Sequence, residues 1–235
     1  MTTTHSQTEA VDQTIDHPLD PLTGDEIEAA VAILESEWTV ASDPVYHTVV
    51  LDEPSKEAVA AFEPGDSIER EAFIVLRQNG ETYEATVSIT TGELHSVEHI
   101  EDVQPAITPD EVDLAEEITI NDEEWREAAA KRGVENFDLV IVDPWPASGF
   151  EPPEYEDRRL VRSLTWIRTE EADNGYARPI EGLFAFVDLD EEEVVEIEDN
   201  GVVDEENPLP TEDADFRADR VDTREDFEHL DVVQP

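Results

Sequence analysis

Two segments of the sequence read alike, and their likeness constrains the fold more than any bulk property does. Thr23-Gly24-Asp25-Glu26 and Thr108-Pro109-Asp110-Glu111 each place a threonine three residues ahead of a glutamate. In such a capping box the hydroxyl and the carboxylate each satisfy a backbone N–H that a helix start leaves free. Behind the first box Ile27, Ala30, Val31, Leu34 and Trp38 recur at helical spacing, which predicts an amphipathic helix. Four β-rich runs follow, at 45–51, 72–77, 83–90 and 94–100. Asn79-Gly80 and Thr91-Gly92 separate the last three and supply residues that tolerate the positive φ of tight hairpins. Behind the second box, which has Pro at the first helical position, residues 121–124 cap a further helix that stops at Gly133. Strand-like runs then come at 137–142, 160–168, 180–189 and 193–198. The Pro-rich stretch 143–153 reads as a loop between the first two of these, because Pro can neither donate to a ladder nor continue a helix. Helix then four strands, twice, predicts an α+β protein of two tandem domains, each a helix packed on an antiparallel four-stranded sheet.

The boundaries follow from where the periodicity lapses. Residues 1–16 are polar, Thr-rich and without period, a disordered lead-in. The first domain is expected over 17–105, closing at Asp102-Val103-Gln104-Pro105, and the second over 106–198. Residues 199–235 are acidic with little period and end in Asp231-Val232-Val233-Gln234-Pro235, which reads as a linker and not as a domain terminus.

Charge decides which partners suit such a chain. The 63 Asp and Glu against 14 Lys and Arg leave a formal net charge of −49, and only Lys56 and Lys131 among the basic residues are lysines. Charge this high can signal disorder, but Leu, Ile, Val and Phe make up about a quarter of the chain, above the roughly 20% below which folding becomes doubtful. The acid is spread between the apolar runs and is not gathered in a tail, so it is a property of the whole surface. It repels phosphate backbones and anionic lipid, which argues against nucleic-acid and membrane partners. No apolar run approaches the roughly 18 residues of a membrane span, and the N-terminus lacks a basic-then-apolar signal. The expectation is a soluble, non-exported protein of a cytoplasm rich in salt, where screening over a few ångströms makes the self-repulsion tolerable.

The residues that could carry chemistry are few. There is no Cys, hence no disulfide, thiolate metal site or cysteine nucleophile. Six histidines, His5, His17, His47, His95, His99 and His229, could ligate a metal, and His95 and His99 lie four apart. In a strand that spacing separates them by about 13 Å, so they read as polar strand residues. Among 63 carboxylates adjacency carries no information about an acid/base pair. Ser148-Gly149 lacks the flanking glycine of a nucleophile elbow, and no glycine loop suited to phosphate is present. Trp145, with Pro144, Pro146 and Phe150, is the one concentration of apolar residues in an expected loop, either covering a core or meeting a partner.

Several motifs resemble one family. His17-Pro18-Leu19-Asp20-Pro21-Leu22-Thr23 with Glu26-Ile27 resembles the opening of the first conserved N-terminal domain of the copper/topaquinone amine oxidases, and Leu51-Asp52-Glu53-Pro54-Ser55-Lys56 resembles its next landmark. Lys131-Arg132-Gly133, Phe137-Asp138-Leu139-Val140, Asp143-Pro144-Trp145 and Arg178-Pro179-Ile180-Glu181-Gly182-Leu183 before Val187-Asp188 resemble the family's following domain. The resemblance covers residues 17 to about 235 and implies two cystatin-like domains, the family's N2 and N3 domains. Together with the acidity it implies a halophilic archaeal member.

In the family a large β-sandwich follows, where a tyrosine-derived topaquinone and copper held by three histidines deaminate primary amines to aldehyde, ammonia and hydrogen peroxide. The cofactor tyrosine sits in Asn-Tyr-Asp/Glu, whereas Tyr46, Tyr83, Tyr155 and Tyr176 follow Val, Thr, Glu and Gly; no His-x-His copper motif occurs. The resemblance therefore implies no catalytic or metal-ligating residue in this chain, and copper and topaquinone only in the full-length family. It implies as partners the amine-oxidase catalytic domain, in cis or as a separate chain, and a second subunit, since the family is homodimeric. Trp145 and Tyr176 fall where large side chains tend to line the mouth of the substrate channel; capping their own unit's core is the other reading. The expected function is the non-catalytic N-terminal portion of a primary-amine oxidase, inactive by itself, and the alternative is a free-standing binding or scaffold protein.

Overall fold

A computed structural model describes residues 17–147, 149, 153–155, 158–203, 205, 206 and 209. The expected lead-in 1–16 and most of 199–235 lie outside the described residues. The chain divides into two units that meet between Ala106 and Ile107.

In the first unit the capping box forms as expected, with Thr23 Oγ1 accepting from Glu26 N–H at 3.3 Å and the Glu26 carboxylate accepting from Thr23 N–H at 2.8 Å. It starts helix α1 (Gly24–Glu37), which presents Ala30, Ile33 and Leu34 to the sheet. Strands β1 (Val45–Asp52), β2 (Glu71–Gln78), β3 (Glu81–Ser88) and β4 (Glu93–Ile100) form an antiparallel meander in the order β1-β2-β3-β4. Ala72, Ile74, Leu76, Ala85 and Val87 alternate toward the helix and close the core. Asn79 at φ 53° and Gly80 at φ 83° turn the β2–β3 hairpin. A short helix α2 (Lys56–Ala61), capped by Ser55, was not expected; it buries no residue, so no apolar period announced it.

The second unit repeats the plan. Its capping box starts α3 (Pro109–Asn121), and Asp122 caps α4 (Glu123–Lys131). At the end of α4 Val134 N–H reaches Ala129 C=O at 3.2 Å and Gly133 N–H reaches Ala130 C=O at 3.0 Å, with Gly133 at φ 90°. That pair of bonds is a Schellman motif, which is why the helix stops at a glycine. Strands β5 (Val140–Pro146), β6 (Leu160–Ile167), β7 (Leu183–Asp188) and β8 (Glu193–Asp199) form the second antiparallel sheet, in the order β5-β6-β7-β8. Trp125, Ala115, Ala129, Val140, Val142, Val161, Leu183, Ala185 and Val187 fill its core, and Leu209, inside the expected linker, packs there too.

The structure differs from the sequence pattern at two places: Phe137–Leu139 is a turn of 3-10 helix where a strand is expected, and β5 continues through Asp143-Pro144-Trp145-Pro146, where the prolines predict a loop. Prolines fit because β5 is an edge strand, where a missing N–H can face away from the ladder.

Each unit is fastened internally by an arginine in the same way. Arg70, just ahead of β2, donates from Nε to Glu26 Oε1 at 3.0 Å and from Nη2 to Oε2 at 3.2 Å. Arg159, just ahead of β6, does the same to Glu111 at 2.5 and 2.9 Å. Each capping-box glutamate thus satisfies its helix start and neutralises a buried guanidinium. Arg70 also donates to the carbonyls of Asp20 and Pro21 at 2.8 and 3.2 Å, clamping the opening motif to the sheet.

Candidate functional site

The residues singled out for a channel mouth lie on the second unit. Along β5, Val140 and Val142 face the helices, so Ile141, Asp143 and Trp145 point to the opposite, outer face. Pairing places Ile141 across from Trp166 and Trp145 across from Arg162, which puts those side chains on the same face. Trp145 is 59% exposed there. The Arg162 guanidinium carbon lies over the Phe184 ring, 3.7 Å from its centroid, and Arg162 pairs with Glu198 at 2.9 Å. The outer face therefore carries an aromatic strip, Trp145, Trp166 and Phe184, with the Arg162 guanidinium stacked into it.

Tyr176 comes from the loop between β6 and β7. Its ring meets Trp166 edge-on at 5.1 Å, and it is 60% exposed. The loop is held from beneath. Buried Arg178 pairs with buried Asp173, which also accepts from Thr169 N–H at 3.0 Å, Thr169 Oγ1 at 2.9 Å and Asn174 N–H at 2.9 Å. Burial pushes the Asp173 carboxyl up, but these hydrogen bonds outweigh it and hold its pKa below the usual value. Asn174 Oδ1 accepts from Tyr176 N–H at 2.9 Å, and Trp166 bridges to Pro179. Gly175 passes close to Ile141, where a Cβ would stand 3.2 Å from Cγ1. Trp145 and Tyr176 thus belong to one face but to its two ends, since Arg162 and Trp166 are four strand residues, about 13 Å, apart.

The motif around Lys131-Arg132-Gly133 is a fastening. Buried Arg132 donates to the carbonyls of Ala128, Glu181, Gly182 and Gly201 at 2.8–3.1 Å and to Asp199 at 2.6 Å. It joins α4 to the Arg178–Leu183 motif and to the end of β8. Arg132 lies inside a family motif, whereas Arg70 and Arg159 stand outside them and are marked only by their place, one just ahead of each second strand.

The described histidines and tyrosines do not fit a copper and topaquinone centre. His47 Nδ1 meets Ala106 C=O at 2.8 Å, His95 meets Glu71 at 2.7 Å and His99 meets Glu81 at 2.6 Å, and no three histidines converge among the described residues. Tyr46 bonds Glu35, and its burial and that carboxylate push its phenol up to about 12. Tyr83 packs between Trp38 and His99, and Tyr155 donates to Val195 C=O at 3.3 Å.

Comparison with known proteins accounts for both units. Residues 17–100 match the copper amine oxidase N2 domain and residues 110–219 the copper amine oxidase N3 domain. A primary amine oxidase of Arthrobacter sp. (strain P1) is 36% identical over 225 residues, covering 94% of this chain and 34% of the relative. The peroxisomal copper-containing diamine oxidase 1 of Nicotiana tabacum is 31% identical over 265 residues, covering 93% of this chain and 33% of the relative. The crystal structure of a copper-containing benzylamine oxidase from Hansenula polymorpha superposes with a TM-score of 0.66 at 17% identity, over 93% of this chain and 36% of that one. The chain spans about a third of the length of these relatives. Two domain models of one family matched in succession place the chain in the copper amine oxidase family, as its N2 and N3 domains.

Proposed function

We propose that this chain is the non-catalytic N-terminal portion of a copper/topaquinone primary-amine oxidase, packing on the catalytic β-sandwich of a homodimer and shaping the substrate-channel entrance with Trp145 and Tyr176. Substrates of the class are primary amines, released as aldehyde with ammonia and hydrogen peroxide. The observation that carries this reading is the outer face of the second sheet, where Trp145 at one end and Tyr176, packed on Trp166, at the other are each about 60% exposed. Large aromatic side chains left exposed on one sheet face suit a surface that meets a partner. The charge of −49 supports a high-salt cytoplasm as its setting.

The test joins the chain to a β-sandwich domain carrying Asn-Tyr-Asp/Glu and His-x-His, in one polypeptide or two. Trp145→Ala and Tyr176→Ala are expected to change kcat/KM for bulky aromatic amines more than for methylamine, at unchanged copper and quinone content. Equal kcat/KM for both amines in wild type and variants would remove the channel role. A chain that does not associate with any such domain would favour a free-standing binding protein.

A further inference from the structure

The two units place different chemistry at one corresponding position. Glu71 pairs with Ser88 as Leu160 pairs with Asp188, and Arg70 and Arg159 accept equivalent backbone bonds from Ile89 and Leu189. Glu69 therefore corresponds to Arg158. The ladder slips by one residue at Thr86/Val87, leaving His95 as the extra residue of β4, and slips likewise at Phe186/Val187, leaving Val195 in β8. Such a bulge re-aims the side chain it carries.

In the second unit this corner is closed by its own residues. Arg158 pairs with buried Asp188, while Leu160 and Val195 pack with Ala147, Phe186 and Tyr155. In the first unit the same three positions hold Glu69, Glu71 and His95, whose ligating atoms all lie within 4.8 Å of one another. His95 Nδ1 stands 2.7 Å from Glu71 Oε1, and Ser88 Oγ donates to Glu69 Oε1 at 2.9 Å. Where one repeat brings a guanidinium to a carboxylate, the other brings two carboxylates and an imidazole together.

We propose that Glu69, Glu71 and His95 bind one divalent first-row transition-metal ion such as Zn²⁺, through two carboxylate oxygens and His95 Nδ1, with water completing its coordination. Ligands about 2.0–2.2 Å from an ion stand about 3–4 Å apart, and the exposed side chains of Glu69 and His95 close the remaining gap by rotation. The imidazole sets the metal class, because Ca²⁺ and Mg²⁺ take oxygen ligands while Zn²⁺, Co²⁺ and Ni²⁺ accept mixed nitrogen and oxygen sets. The ion takes the place of the proton between His95 and Glu71, and of the positive charge that Arg158 supplies in the other unit. Two carboxylates and one imidazole differ from the three-histidine copper centre of the family.

The full chain is titrated with Co²⁺ and Zn²⁺ in concentrated KCl with excess Mg²⁺, so that diffuse binding to the acidic surface is already saturated. One ion per chain is expected by equilibrium dialysis, with a visible Co²⁺ band. His95→Ala and the pair Glu69→Gln, Glu71→Gln are expected to weaken it by more than about tenfold, and His99→Ala to leave it unchanged, with circular dichroism alike in all. No bound ion in the presence of Mg²⁺, or the same affinity in His95→Ala as in the unaltered chain, overturns the proposal.

Discussion

At the residue scale, the feature that recurs is a buried guanidinium held by a helix-starting glutamate. Burial pushes the Glu26 carboxyl up, while Arg70 and the Thr23 N–H and hydroxyl pull it down further, and the net pKa is lowered. Glu111 shows the same balance, with Arg159 and Thr108 outweighing burial. Groups whose pKa is lowered on folding contribute stability that is fully present above the ordinary carboxylate range near 4 and is lost as pH falls through their folded values. The first unit is therefore expected to weaken progressively as pH falls below about 5, read as its urea midpoint in concentrated salt from the amide NMR signals of its own residues. Glu26→Gln leaves a buried Arg70 without its counter-charge and is expected to cost about 3 kcal/mol at neutral pH. Its midpoint is also expected to fall less steeply with acid than that of the unaltered chain. A parallel pH dependence in the two would show that the pair carries no linkage.

At the element scale, the two meanders share a hairpin but not its residues. Gly92, at φ 71°, ends the β3–β4 turn, and Glu192, at φ 55°, ends the β7–β8 turn. Ser88 Oγ accepts from Thr91 N–H at 3.1 Å in the first, and Asp188 Oδ1 accepts from Glu191 N–H at 3.0 Å in the second. A side chain with a Cβ costs roughly 1–2 kcal/mol in the left-handed region, so Glu192→Gly is expected to stabilise the second unit by about 1 kcal/mol. Its denaturation midpoint should rise; an unchanged or lower midpoint would mean the glutamate is held by something else. The β5 edge shows a different kind of difference between pattern and fold. Pro144 and Pro146 read as breakers because nothing in a linear pattern distinguishes an edge strand from a central one, and only the strand order places β5 outermost.

At the scale of the whole molecule, charge and architecture act separately. A chain with 63 acidic residues repels itself within a Debye length, which is about 10 Å at 0.1 M salt and about 3 Å at 1 M. Circular dichroism is expected to show lost structure on dialysis from molar KCl to dilute buffer, and an unchanged spectrum would remove the high-salt reading. Helix starts, hairpins and the doubled order of elements were legible in the sequence because capping boxes, Asn-Gly turns and alternation act over a few residues. The absence of Asn-Tyr-Asp/Glu and His-x-His motifs was equally legible, as was the run of family motifs. What those motifs do was decided by tertiary structure: Arg70 reaches 44 residues back to Glu26, and Arg132 reaches 67 residues on to Asp199. The same holds for the aromatic outer face, where Trp145, Trp166, Tyr176 and Phe184 come from three strands and a loop. Local hydrogen bonding and apolar period write the elements into the chain, whereas which side chains meet depends on strand register and sheet order, which exist only once distant segments have paired.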